Sequence, residues 1–251
     1  MEHFSTWVFA LTLLSGFNAQ AKEVINWFVA DMPPFISTNT AHEIIDIQAA
    51  SGPIADLHRQ IEKSLPEYEH RYHLQSIPRG EVSLKKKNHY CTLILLQSPQ
   101  REEFAYFGAS FTKTPYKMGL ITLKKYIDAK NTDLEAYLDK KDFTLAVLSK
   151  RFYGNDVAPI LKKYSARTIS LVRDEENMAA VFKLLEKNRV QGTLGYKFEI
   201  EDYLTKNPAA DMGFQPVKQM NEGHFGRVSC EKTPWGKVAL DKVSNVIKAI
   251  K

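Results

Sequence analysis

From residue 118 onward the chain alternates short apolar runs rich in β-forming residues with amphipathic stretches of helical period, and this alternation limits the fold more than any other feature. Strands are expected at 118–123, 143–148, 168–172 and 190–194. Between them, Val157, Ile160, Leu161 and Tyr164 share one side of a helix over 156–164. Met178, Val181, Phe182 and Leu185 do the same over 175–187. Parallel strands cannot be joined by a tight turn and need a crossover, usually a helix, so the pattern implies an α/β architecture of mostly parallel sheets covered on both faces.

A first series precedes it. Residues 24–30 form a near-continuous apolar run that ends at Asp31-Met32-Pro33-Pro34, which cannot continue a ladder. Ile54, Leu57, Ile61 and Leu65 follow at helical spacing between Gly52-Pro53 and Pro66, and a strand over 91–96 comes after a polar, Lys-rich turn. A last strand at 226–230 precedes a helix carrying Ala239, Val243, Val246, Ile247 and Ile250 on one side, which should dock on a lobe. Two such series imply two lobes.

The first twenty-one residues stand apart. Residues 4–17 are apolar but too short a run to span a bilayer, and Ala19-Gln20-Ala21 offers the small-x-small pattern of a cleavage site, so 1–21 reads as a signal peptide. Met1-Glu2-His3 lacks the usual Lys or Arg, which leaves a buried N-terminal strand or helix as the competing reading. No cysteine lies near the cleavage point and no later apolar run nears the ~20 residues needed to cross a membrane, so a soluble periplasmic product is expected. Its formal charge rises from +5 to +6 once Glu2 is removed, which favours acidic solutes only weakly. Lys85-Lys86-Lys87, the one dense basic run, reads as a solvated turn, and no nucleic-acid partner is expected. Cys91 and Cys230 are the two cysteines; export makes a disulfide between them the expectation, against two buried free thiols.

There is no phosphate loop, no dinucleotide glycine fingerprint and no Gly-x-Ser-x-Gly elbow, so nucleotide hydrolysis, hydride transfer and serine-hydrolase chemistry lack support, and no cofactor is expected. His70 and His73 form a His-x-x-His pair that nothing nearby completes into a metal site. Glu176 and His224 are the candidate acid–base residues, and neither sits in a recognised catalytic motif.

Three stretches resemble the extracellular solute-binding proteins of family 3, which include the polar amino-acid receptors of ABC importers. They are Trp27-Phe-Val-Ala-Asp-Met-Pro-Pro-Phe35; Ser98-Pro-Gln-Arg101 with Phe107-Gly-Ala-Ser110 and Pro115-Tyr116; and Leu184-Leu-Glu-Lys-Asn-Arg-Val190. The resemblance implies a periplasmic-binding-protein-like type II fold with a two-segment hinge: lobe 1 from 22–112 plus 223–251, lobe 2 from 113–222, and ligand in the cleft between them. It also implies a carboxylate-gripping role for Arg101, with Ser98 on the same loop and Phe35 as an apolar wall. The plainer readings are an ion pair with Glu102, Glu103 or another acid for Arg101, a helix cap for Ser98 and core packing for Phe35.

In lobe 2, residues 149–154 link a strand to a helix N-terminus, a favourable place for anions, where Arg151 and Tyr153 could line the cleft or form an exposed basic loop. The amino-acid receptors carry Asp at the positions matched by Gln191 and Tyr196. With Tyr196 there, the acid that would pair with an α-amino group is absent, and a buried unpaired ammonium is expensive. An anionic or carboxylated ligand is therefore expected, its body against Phe35, Phe152 and Tyr196, unless Glu175, Glu176 or Glu199 substitutes as the acid. The expected function is non-catalytic solute capture by a monomer that serves an inner-membrane permease or a membrane sensor. The alternative is a dehydratase-like periplasmic enzyme on the same fold, or an accessory module of cell-wall metabolism.

Overall fold

A computed structural model of the chain describes residues 22–38, 40, 42–149, 151–171, 178–221 and 223–250. The expected signal peptide and the acids Glu175 and Glu176 lie outside the described residues.

The apolar run after Lys22 forms β1 (Glu23–Val29), whose Ile25, Trp27, Phe28 and Val29 are buried. It is followed by α1 (Pro53–Ser64), β2 (Tyr68–Leu74), α2 (Ile77–Lys86), β3 (Tyr90–Thr92), the single turn α3 (Pro99–Glu102) and β4 (Ala105–Ser110). The chain then enters a second series: β5 (Met118–Leu123), α4 (Leu134–Leu138), β6 (Leu145–Leu148), α5 (Val157–Lys163), β7 (Thr168–Leu171), α6 (Met178–Glu186), β8 (Gly192–Tyr196), α7 (Lys197–Lys206) and β9 (Met212–Gln215). It returns as β10 (Arg227–Glu231) and ends in α8 (Pro234–Ala249), which lies against β4 and β10.

The strands make two five-stranded sheets, in the orders β2-β1-β3-β10-β4 and β7-β6-β8-β5-β9. Both are mixed in the same way: β1 runs parallel to β2 and β3, and β6 parallel to β7 and β8. The antiparallel member is in each case the strand whose chain arrives from the other sheet rather than through an α-helix. That strand is β10 between β3 and β4, and β5 between β8 and β9. The result is a two-lobe α/β molecule in which lobe 1 takes strands from both ends of the chain.

One contiguous core fills the first lobe around β1, with Trp27 and Phe28 at its centre. In the second sheet the alternation of side chains divides the core between two faces. Met118, Leu120, Leu145 and Val147 point into one, and Ile121, Ala146 and Leu148 into the other. Cys91 and Cys230 stand directly opposite each other across the β3–β10 ladder and are joined by a disulfide. This bond ties the returning strand to lobe 1.

Two local differences from the sequence reading concern where elements end. The strand expected over 91–96 pairs only over Tyr90–Thr92, while Leu93, Ile94 and Leu95 stay buried without a ladder. The lysine cluster is exposed as expected but only partly a turn, since Lys85 and Lys86 end α2 and Lys87 caps it at φ 57, placing cations at the negative end of the helix dipole. His70 and His73 serve separate neighbours: His70 Nδ1 accepts from Trp27 Nε1 at 2.9 Å, and His73 Nε2 lies 3.1 Å from Asn26 Oδ1.

Candidate functional site

The chain crosses between the lobes twice, and the two crossings are paired with each other. Tyr116 and His224 exchange backbone hydrogen bonds of 2.8 and 3.1 Å, and Phe111 donates to the Gly226 carbonyl at 2.9 Å. A cleft of about 1050 Å³ opens beside this pair, with walls from both lobes. It lies beyond the carboxyl ends of β1, β3, β6 and β8, where parallel strands leave free backbone groups and open α/β sheets bind their ligands.

The lobe 1 wall begins in the turn after β1. Met32 and Ile36 pair backbone to backbone, and Phe35 is pushed outward onto the cleft. Gly52 clamps this turn from behind at φ 103, and a Cβ there would sit 2.5 Å from the Phe35 carbonyl oxygen. The unpaired run Leu93–Leu96 continues the wall to Arg101, whose side chain is 13% exposed. Arg101 Nε donates to Glu81 Oε1 at 2.9 Å and Nη1 to the Leu96 carbonyl at 3.0 Å. Its Nη2 donates to no described residue, so part of the guanidinium fork stays available.

The lobe 2 wall is aromatic and charged. Tyr196, at the end of β8, stacks on Phe198 with centroids 5.1 Å apart, and Phe198 meets Phe35 edge-on at 4.3 Å across the cleft. Tyr116 from the first crossing joins them, 5.1 Å from Phe35 and 5.5 Å from Phe198, and burial lifts its hydroxyl pKa to about 12. Arg151 lies over the Tyr196 ring at 5.0 Å, and its Nη2 donates to Glu199 Oε1 at 2.8 Å. Burial works against the Arg151 charge. The Glu199 carboxylate, with Tyr196 and Tyr153, outweighs it and holds the guanidinium above its ordinary pKa.

Of the residues singled out in the sequence, Phe35, Arg101, Arg151 and Tyr196 come together on the cleft. Ser98 does not line it: buried, it caps α3 by accepting from the Arg101 backbone N–H at 3.3 Å. Tyr153 also turns away into the lobe 2 core, where its hydroxyl accepts from the Leu148 N–H at 2.7 Å. Gln191 is used locally, its Oε1 accepting from the Thr144 N–H at 2.9 Å. His224 sits in the hinge with its ring 6.3 Å from that of Tyr196.

This two-lobe, two-crossing arrangement matches solved structures across nearly its whole length. An ancestral arginine-binding protein bound to arginine superposes with a TM-score of 0.69 at 15% identity, over 91% of this chain and 92% of that one. The GluR0 ligand-binding core in complex with L-glutamate gives 0.66 at 16% identity, over 92% and 94%. The fold is that of the type II periplasmic binding proteins. The substrate-binding protein of an amino acid ABC transporter shares this fold with a TM-score of 0.64 at 19% identity, over 90% of this chain and 92% of the other. No protein-family model and no curated protein matches the sequence.

The sequence reading missed Glu81, Tyr116 as a cleft residue, and Phe198. Glu81 was hidden because α2 carries Pro78 and Gly80 and lacks a clear apolar stripe. Phe198 had a usable signal, since it stands two residues beyond Tyr196 at the mouth of a strand, where α/β sheets place ligands.

Proposed function

We propose that this chain is an exported binding protein that captures a small carboxylated solute between its lobes and presents it to a membrane partner, a permease of an ABC importer or a sensor. In this reading residues 22–112 and 223–251 form lobe 1, and 113–222 form lobe 2. The observation that carries it is the cleft itself. It is large enough for an amino-acid-sized or aromatic acid, it draws residues from both lobes, and its lining includes both Arg101 and the aromatic cluster of Phe35, Tyr116 and Phe198. A planar fork with free N–H groups suits bidentate contact with a carboxylate, and the rings suit an apolar body. Structures of the same fold are described as binding arginine and L-glutamate and as serving an amino acid ABC transporter, which supports solute capture rather than catalysis.

The test is a thermal-shift screen of the purified protein against dicarboxylates, aromatic acids, amino acids and polyamines, with mass spectrometry of whatever copurifies. A carboxylate should raise Tm saturably, and Arg101→Ala should abolish the rise. At a hundred times Kd the stabilisation is about 2.7 kcal/mol, well within reach of the method. A protein that responds to no solute and copurifies with none would overturn the reading.

A further inference from the structure

Tyr196 and Glu199 together make a cation site. A carboxylate beside an aromatic face is the combination that holds a guanidinium or ammonium group, through a charge-assisted hydrogen bond and attraction to the ring. Both parts are fixed. Glu199 occupies the third position of α7, where its Oε2 accepts from the Tyr196 backbone N–H at 2.7 Å, leaving Oε1 for a cation. The Tyr196 ring is held by its stack on Phe198.

The cation present is the chain's own. Arg151 donates Nη2 to Glu199 Oε1 at 2.8 Å, and its guanidinium carbon lies 5.0 Å from the Tyr196 centroid. The pair is deeply set, the Arg151 side chain 10% and the Glu199 side chain 14% exposed, yet all three residues line the cleft. Packing alone gives no reason for this choice. A buried ion pair is rarely more stable than apolar side chains of the same volume, and Arg151 Nη1 is buried with no hydrogen-bond partner among the described residues.

We infer that Arg151 is a built-in occupant of this cation subsite, which makes the cleft reject solutes that bring an ammonium or guanidinium group to Tyr196 and Glu199 and accept acids that lack one. The inference deepens the solute-capture reading and rests on it. Removing the side chain at the guanidinium end should open the box to a cation from solution.

Arg151→Ala is expected to lower Tm, and methylguanidinium should restore it saturably. At ten times its Kd the rise should be about 3–5 °C, with sodium chloride at equal ionic strength giving none. Arg151→Ala/Glu199→Gln should lose the rescue. If Arg151→Ala does not fold by itself, its refolding yield with and without methylguanidinium gives the same readout. In the unaltered protein, glutarate should bind more tightly than glutamate and 3-phenylpropanoate more tightly than phenylalanine, while Arg151→Ala should narrow or invert both preferences. No rescue of stability or refolding by methylguanidinium, or tighter binding of the amino acids by the unaltered protein, would overturn the inference. Failure of the unaltered protein to bind any of the four acids would count against solute capture and leave the rescue to decide the role of Arg151.

Discussion

His58 is a residue whose cost is visible at once. Its ring is fully buried in lobe 1, edge-on to Trp27 at 4.8 Å and Tyr72 at 5.3 Å, with neither nitrogen hydrogen-bonded among the described residues. Burial first, and then the neighbouring His70, bring its pKa down from 6.5 to about 3. The folded chain therefore keeps His58 neutral, whereas the unfolded chain takes up a proton below about pH 6.5. The stability that depends on a neutral His58 is complete above that pH and is lost as pH falls toward 3, by on the order of 4–5 kcal/mol over the whole window. Urea unfolding at pH 7, 5.5 and 4 should show His58→Leu losing less stability than the unaltered protein, by about one proton's worth of slope, or ~1.4 kcal/mol per pH unit. Parallel curves for the two proteins would mean that His58 takes its proton inside the fold.

Among the elements, β3 and β10 carry the strongest constraint, because they bring together parts of the chain 139 residues apart with the whole second lobe between them. In the chain-entropy account a cross-link closing such a loop is worth about 5 kcal/mol, so reduction should lower Tm by about 10–20 °C. Thermal scans with and without reductant measure this, and two titratable thiols in denatured, unreduced protein would contradict the bond. The elements also differ in how far the sequence disclosed them. β1, β5, α1 and α8 announce themselves by apolar runs or helical periodicity. β2 does not, because its inner face is built from Tyr68, His70 and Tyr72, so the alternation reads as polar although Tyr68 and Tyr72 are buried. In α2, Gly80 breaks the helical signature for a packing reason: the Phe28 ring lies where a Cβ would come within 2.2 Å. The site was legible as residue types and not as partnerships. Arg101 could be named through the family resemblance and Arg151 from its place before a helix N-terminus, whereas Glu81 and Glu199 became their partners only once α2 and α7 were placed in three dimensions.

At the scale of the whole molecule the question is what holds the lobes together without a solute. The two crossings pair with each other at Tyr116 and His224, outside both sheets, so a turn of one lobe against the other would leave both ladders intact. Across the cleft, the Phe35–Phe198 contact must separate if the lobes open, because one ring follows β1 and the other begins α7. An edge-to-face pair contributes about 0.5–1.5 kcal/mol beyond its buried area, which corresponds to a factor of about 2–13 in the ratio of closed to open forms. Phe198→Ala should therefore raise the radius of gyration measured by X-ray scattering without solute, and a saturating solute should bring it back to the value of the unaltered protein. Because Phe198 also packs on Tyr196, the same variant should bind more weakly, with the loss falling mainly on the dissociation rate. A radius of gyration unchanged by both the substitution and the solute would mean that the cleft is a fixed pocket and that capture requires no closure.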